Sequence, residues 1–408
     1  MKETTVIIVG AGPAGLATSA CLKKASIPNI VLEREDCLAS LWKRRSYDRL
    51  HLHLAKEFCS LPHMPHSSTS PTYIPRDSFV RYLEDYASAF GIIPEYNRSV
   101  GRASFHDGKW RVVARRVNEE KINNDGEEEE EDVYVAPFLV VATGDNAEPY
   151  IPALAGIERF EGEVLHSSDY KSGVKYQGKS VLVVGGGNSG MEIAYDLSNH
   201  GSHASIVVRS PVHIFSREMI RAGMILLKYV PLYMVDAVIS WYAKLKYGDL
   251  SKYGLRAPAH GPFYLKSLTG RSPVIDVGTV SKIKAGVIQV LPGISVIKEH
   301  SVVFGNGHEQ TFDVVVFATG YTNSVRKWLH HYDELPINET LHNVDEHVNG
   351  NNTIKSKKIY PAARWKSEQI KGLYMAGFTK KGLMGIKMDA EAIAADIGMA
   401  ITELQLKA

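Results

Sequence analysis

Gly10, Gly12 and Gly15, set directly behind the apolar run Thr5 to Val9, constrain this chain more than any other feature. An apolar run that stops at a glycine and is followed by small, helix-compatible residues from Leu16 to Lys24 reads as a strand, a tight turn and a helix start. The three glycines have separate jobs. Gly10 makes the turn, Gly12 lets the backbone approach a pyrophosphate, and Gly15 lets the helix pack on the strand. The helix N-terminus then offers N–H groups and a partial positive charge to phosphates. A second apolar run, Asn29 to Leu32, ends in Glu33, at the distance where an acid takes ribose hydroxyls. Strand, turn, helix, strand and acid in this order specify a dinucleotide site of Gly10, Ala11, Gly12, Pro13, Ala14, Gly15 and Glu33.

The pattern returns once. Ser180 to Val184 is apolar, Gly185, Gly187 and Gly190 repeat the spacing, and Met191 to Ser198 reads as a helix. Gly186, Asn188 and Ser189 complete the turn. The next strand, Ala204 to Val208, ends in Arg209, a base where the first unit has an acid. An arginine there grips a 2'-phosphate with charge-assisted bonds that a carboxylate would repel, although it also suits an ordinary surface. The first site therefore prefers a free ribose, and the second prefers NADPH to NADH. Both units close alike: Val133 to Ala142 and Phe312 to Phe317 read as strands that end in Ala142-Thr143-Gly144 and Ala318-Thr319-Gly320. Thr143, Gly144, Thr319 and Gly320 join the candidate cofactor contacts.

A chain of 408 residues exceeds the size at which single cores usually stop growing, so two domains are expected. After the second unit come a strand, Leu373 to Ala376, and a helix, Met388 to Leu404. If the second unit is inserted into the first, this tail returns to the first domain. The expected architecture is α/β with two Rossmann-like domains, one inserted in the other. Residues 1–170 begin the first domain, 171–324 form the second, and 325–408 return to the first.

From Asn118 to Asp132 the chain carries nine acids and one base, which reads as a solvated loop between the strands Trp110 to Val117 and Val133 to Ala142. Setting it aside turns a net charge of +2 into 46 basic against 36 acidic residues, a body suited to anionic ligands. No nucleic-acid motif accompanies these bases. Cys21, Cys37 and Cys59 form no CxxC pair or metal spacing, which points to free thiols in a reducing compartment, and a cytoplasmic location is the expectation. The first strand starts too early for a signal peptide to precede it. The longest apolar stretch, Ala222 to Ala243, is broken by Lys228, Pro231 and Asp236, so no integral membrane segment is expected. The oligomeric state is not legible.

Between the units, His51 and His53 alternate with Leu50, Leu52 and Leu54, a strand-like pattern that puts both imidazoles on one face. No third ligand cluster joins them, so no metal is assigned. Trp42 suits either a flat wall for a cofactor ring or a core position. Arg76 to Gly91 reads as an amphipathic packing helix. Met219 to Tyr247, rich in Met, Leu and aromatic residues, suits either packing helices or the path of an aromatic substrate.

The stretch Phe160-Glu161-Gly162-Glu163-Val164-Leu165-His166-Ser167-Ser168-Asp169-Tyr170, lying between two glycine fingerprints, reproduces FxGxxxHxxxY. In this the chain resembles the class B flavin-dependent monooxygenases. Related Baeyer-Villiger enzymes usually have tryptophan where Tyr170 stands. The stretches SLWKRRSYDRLHLHLAKEFCSLPHMP, VVATGDNAEP, VLVVGGGNSGMEIAYDL, VVFATGYTNSV and GFTKKGLMGIKMDAEAIAADI narrow the resemblance to the plant YUCCA monooxygenases. Departures are Gly186, where cysteine is common, Ala55, where proline is common, and the segments Asn118 to Asp132 and Asn338 to Lys358.

The resemblance implies an FAD domain in two pieces around an NADPH domain. It also implies conversion of indole-3-pyruvate to indole-3-acetate, the hormone auxin, with O2 and a flavin C4a-peroxide. It places His53 and Lys56 near the flavin as candidate catalytic residues, each of which also suits a structural role. Rival readings are N- or S-oxygenation of another small substrate, and a nucleotide-bound sensor with little turnover. Substrate-stimulated NADPH consumption with product formation excludes the sensor.

Overall fold

The computed structural model describes residues 1–117, 131–330, 365–367 and 370–407, organised around two parallel sheets. Residues 118–130 of the acidic run and the divergent segment 338–358 lie outside the described residues.

The first sheet has the order Leu373–Met375, Phe138–Val141, Val6–Val9, Asn29–Leu32, with every neighbouring pair parallel. Val6–Val9 is buried throughout, which explains why it reads as a continuous apolar run rather than an alternating one. Helix Pro13–Lys24 covers one face and packs on the terminal helix Gly382–Lys407. Leu16, Ala17 and Ala20 share a core there with Ala390, Ile393 and Ile397. The expected return of the tail is thus seen at the level of a strand: residues 373–375 form an edge of the sheet that residues 6–9 begin.

The second sheet has the order Gln289–Leu291, His203–Val207, Ser180–Val184, Val314–Phe317, Glu163–His166, again all parallel. Glu163–His166 precedes the boundary expected at residue 170, yet pairs with Val314–Phe317. Val325, Trp328 and Leu329, in turn, are buried with Ile7, Val9, Leu139 and Met375 of the first unit.

Two other expectations are corrected, and the packing helices expected after Met219 are present. Val133 to Ala142 is two strands, Glu131–Ala136 in a mixed sheet with Lys109–Arg116, and Phe138–Val141 in the first parallel sheet. Pro137, which has no N–H to give a ladder, marks the change of sheet. The alternation around His51 and His53 yields one isolated bridge, His51 to Pro75, because the proline opposite cannot extend the ladder. The apolar stretch after Met219 is two helices, Arg217–Leu226 and Leu232–Tyr247, with Pro231 at the break. Met219, Ile220, Val235 and Ile239 are buried, whereas Tyr229, Tyr233 and Trp241 face outward. Among the described residues no helix is long and apolar enough to cross a membrane.

Candidate active site

Both glycine turns are built by the same contacts. Gly10 has φ +109°, and a Cβ on it would sit 2.6 Å from the Ala142 carbonyl oxygen; Gly185 has φ +124° and faces the Ala318 carbonyl in the same way. A Cβ on Gly15 or Gly190 would lie far inside contact distance of the Gly10 or Gly185 carbonyl oxygen. The middle glycines behave in the opposite manner. A Cβ on Gly12 or Gly187 would meet no protein atom within 4 Å. Each of these two starts a helix, Pro13–Lys24 or Asn188–Asn199, that has no side-chain cap. Uncapped N–H groups facing open space at a helix start fit a pyrophosphate, so the residues present suit a dinucleotide in each cradle.

Sequence position places the other contacts around these cradles. Glu33 is buried, accepting from Ala11 N at 2.7 Å and from Glu35 N at 3.1 Å. Burial pushes its carboxyl above the ordinary range, while those two N–H groups pull it back. Thr143 lies beside the first turn with its Oγ1 buried and without a hydrogen-bond partner, a polar atom that a bound cofactor can satisfy. Its counterpart Thr319 donates to the Tyr150 carbonyl. Gly144 and Gly320 both have positive φ, +76° and +89°. In the second cradle Asn188 bonds Pro273 and Ile275, tying the segment before and within strand Val274–Ile275 to the turn. A Cβ on Gly186 would approach Val208 to 3.0 Å, which favours the glycine found here. Arg209 is exposed just past strand His203–Val207, with its stem running over Gly293.

The residues expected near the flavin divide. His53 Nε2 lies 3.1 Å from Oε1 of Glu192, whose side chain is 1% exposed. Glu192 sits in the second fingerprint helix, so this contact joins the 50–56 loop to the second unit. Glu192 belongs to no motif of the sequence. Its signal is a carboxylate, one of two with Asp196, among the buried Met191, Ile193, Ala194 and Leu197. Lys56 donates to the carbonyls of Ser67 at 2.9 Å, Ser68 at 2.8 Å and Ser70 at 2.6 Å, which commits all three of its N–H groups to one loop. His51 instead contacts the Arg49 carbonyl through Nδ1, so the two imidazoles do not act as a pair. Trp42 is half-buried and meets Phe79 edge-on, with ring centroids 4.8 Å apart.

The motif from Phe160 to Tyr170 forms a seam around the second cradle. Gly162 leaves room for the Asp313 carbonyl. His166 Nε2 bonds the Gly320 carbonyl at 3.0 Å, and the same carbonyl accepts from Tyr150 N of the linker at 3.0 Å. The Tyr170 hydroxyl donates to Asp196 in the fingerprint helix at 2.6 Å. Another acid missed from sequence, Asp389, accepts from Gly377 N at 3.0 Å, and burial pushes its carboxyl up to about 6.

Comparison with known proteins agrees with this geometry. The profile of the flavin-binding monooxygenase-like family matches residues 3–332. The probable indole-3-pyruvate monooxygenase YUCCA10 of Arabidopsis thaliana is 50% identical, over 99% of both chains. The indole-3-pyruvate monooxygenase YUCCA1 of Oryza sativa subsp. japonica is 43% identical over 97% of this chain and 92% of its own. In fold, the chain is similar to a flavin-containing monooxygenase from Stenotrophomonas maltophilia, with a TM-score of 0.69 at 18% identity over 98% of this chain and 100% of that one. With two intact nucleotide cradles and relatives matched from end to end, the chain belongs to the flavin-binding monooxygenase-like family, among the YUCCA-type enzymes.

Proposed function

We propose that the protein converts indole-3-pyruvate, NADPH, a proton and O2 to indole-3-acetate, carbon dioxide, NADP+ and water, with FAD as the resident cofactor. One oxygen atom enters the acid and the other leaves as water, while the bond to the departing carboxyl group breaks. What carries this reading is a likeness to enzymes named for the reaction that covers 99% of both chains, in a chain whose two cradles each keep all three glycines. Bound flavin, once reduced by NADPH, supplies the chemistry that activates O2.

The chain's own residues bind, orient and hold protons. The first cradle, Gly10 to Gly15, with Glu33, Thr143 and Gly144, holds FAD, and Trp42 walls its rim. The second, Gly185 to Gly190, with Thr319, Gly320 and Arg209, holds NADPH. Glu192 engages His53 through Nε2, which leaves Nδ1 as the atom that meets the reacting oxygen. Lys56 positions this loop by anchoring residues 67–70. We assign FAD binding to residues 1–170 and 325–408 and NADPH binding to 171–324, with strand Glu163–His166 moving with the second domain. Three free thiols, two of them buried, support a cytosolic site of action.

The test is anaerobic reduction of the purified holoprotein by NADPH, followed by mixing with O2 and indole-3-pyruvate. Formation of indole-3-acetate in step with flavin reoxidation is the expected result. Reoxidation that yields only hydrogen peroxide rejects the substrate and sends the search to amines and sulfides. Arg209→Ala is expected to weaken NADPH by about tenfold to a hundredfold, the worth of a charge-assisted contact, and to leave NADH nearly untouched. Reduction rates at rising concentrations of each coenzyme check this, and unchanged discrimination moves the phosphate contact elsewhere.

A further inference from the structure

Two side chains meet across the two units and have no part in the roles given above. Tyr73 belongs to the first unit. The carbonyls on either side of it, of Thr72 and Ile74, accept from Lys56 N at 2.7 Å and from Leu52 N at 2.8 Å, so Tyr73 lies in a segment laid along the loop that carries His53. Arg217 belongs to the second unit and opens helix Arg217–Leu226, just ahead of the stretch whose residue types also suit the path of an aromatic substrate. Its guanidinium stands over the Tyr73 ring, 5.1 Å from the centroid. One turn on, Arg221 Nε meets Glu57 Oε1 at 2.6 Å and ties the same helix to the same loop.

Both residues are half-buried, and each has a polar atom shut off from water. Among the described residues, nothing hydrogen-bonds Arg217 Nε or the Tyr73 hydroxyl. The neighbouring carboxylates are committed elsewhere. Glu57 is taken by Arg221, and Glu218 is held at the helix start by its own N–H and the Ser216 hydroxyl, which keep its carboxyl below the ordinary range. A buried donor without a partner is costly, more so on a charged group, and a native chain keeps one where a ligand supplies the acceptor. Arg217 is held by a ring face and not by hydrogen bonds, so its guanidinium turns to an entering anion without breaking any. Two donors on stacked side chains, one of them cationic, match the two oxygens of a carboxylate.

We propose that Arg217 and Tyr73 bind the carboxylate of the substrate, the guanidinium giving an N–H to one oxygen and the phenol its O–H to the other, and so select a 2-oxo acid over amines, sulfides and neutral ketones. This rests on the reading of the substrate as indole-3-pyruvate. Because each unit supplies one donor, the seat is complete only when the two units are together. A phosphate oxygen of the coenzyme is the competing source of the same chemistry, and the experiment separates the two.

Oxidised holoenzyme, which does not turn over without NADPH, is titrated by equilibrium dialysis with indole-3-pyruvate and with indole-3-acetone, in which a methyl group replaces the carboxylate. Flavin reduction is followed separately at rising NADPH. The wild type is expected to prefer the acid by about tenfold to a hundredfold, the worth of a charge-assisted contact. Arg217→Met is expected to erase most of that preference, and Arg217→Lys to recover part of it, since the charge returns without the planar fork. Tyr73→Phe is expected to lower it several-fold and to keep its melting temperature, because the hydroxyl it deletes has no partner to lose. Binding of the ketone and the apparent affinity for NADPH stay within about twofold of wild type, since charge-assisted loss is confined to the acid. An acid preference that is absent from the wild type, or that survives both Arg217→Met and Tyr73→Phe, overturns the proposal. So does an equal loss of acid and ketone, which makes the pair structural, and so does a matching loss of NADPH affinity, which gives it to the coenzyme. If wild type makes no indole-3-acetate from indole-3-pyruvate, the reaction fails, and the ratio of acid to ketone still decides the site.

Discussion

Gly12→Ala and Gly15→Ala, each adding one methyl group to the same turn, are expected to empty the protein of flavin for opposite reasons. The new Cβ at position 12 meets no protein atom within 4 Å, and the backbone there, at φ −77° and ψ −177°, suits any residue. The apoprotein therefore keeps its melting temperature. FAD affinity falls by about tenfold to a hundredfold as a phosphate contact is lost. At position 15 the Cβ runs into the carbonyl of Gly10, and neither backbone segment can yield without breaking the helix from the strand. Overpacking of this kind costs about 3 kcal/mol, or about 6–12 °C in the melting of the first domain. Calorimetry on both apoproteins and flavin titration check the pair. Equal melting losses would show that Gly12 serves the turn rather than the ligand.

The second large effect is expected at the contact between His53 and Glu192. His53→Gln keeps a donor for the buried carboxylate but removes the imidazole, so the fold survives. Product formation is expected to fall by about a hundredfold to a thousandfold, as when one preorganised donor is taken from an oxyanion site. NADPH oxidation continues, with hydrogen peroxide replacing the acid. His53→Ala takes the donor away as well. It leaves Glu192 buried without this partner, at a further cost of about 1–3 kcal/mol in stability. Glu192→Gln, in which the charge is lost and the shape kept, is expected to uncouple the enzyme less severely than His53→Gln. The ratio of acid formed to NADPH consumed is the measurement. A ratio unchanged in all three variants would remove His53 from the chemistry.

The cradles were legible because the outer two glycines of each turn are demanded by backbone contacts that no other residue satisfies, while the middle one leaves its space open. The carbonyls of Ala142 and Ala318, at the ends of two apolar strands, are what Gly10 and Gly185 approach. The return of the strand at Leu373 to the first unit was legible from the order of the elements, while its place in the sheet was not. What periodicity could not show was where one strand becomes two. The residues around Pro137 read as a single apolar run because both sheets bury them, and only the missing N–H separates them. Lys56 read as a catalytic candidate because the resemblance places its segment near the flavin. Whether carbonyls 11 to 14 residues away will claim its charge is a tertiary fact. Glu192 was passed over for the same reason: it gains its meaning from a partner distant in sequence.

The edge strand Leu373–Met375 has a consequence for how the enzyme comes into being. On the ribosome, Val6–Val9 emerges early and must wait for residues 373–375 before its sheet is whole. At about 5–20 residues per second that is a wait of roughly 20–70 s. For roughly the last 3–11 s of that wait, the time to make the residues between 317 and 373, the second sheet, whose strands all lie between residues 163 and 317, has everything it needs to fold. The newborn chain therefore has every strand of its second sheet before it has every strand of its first.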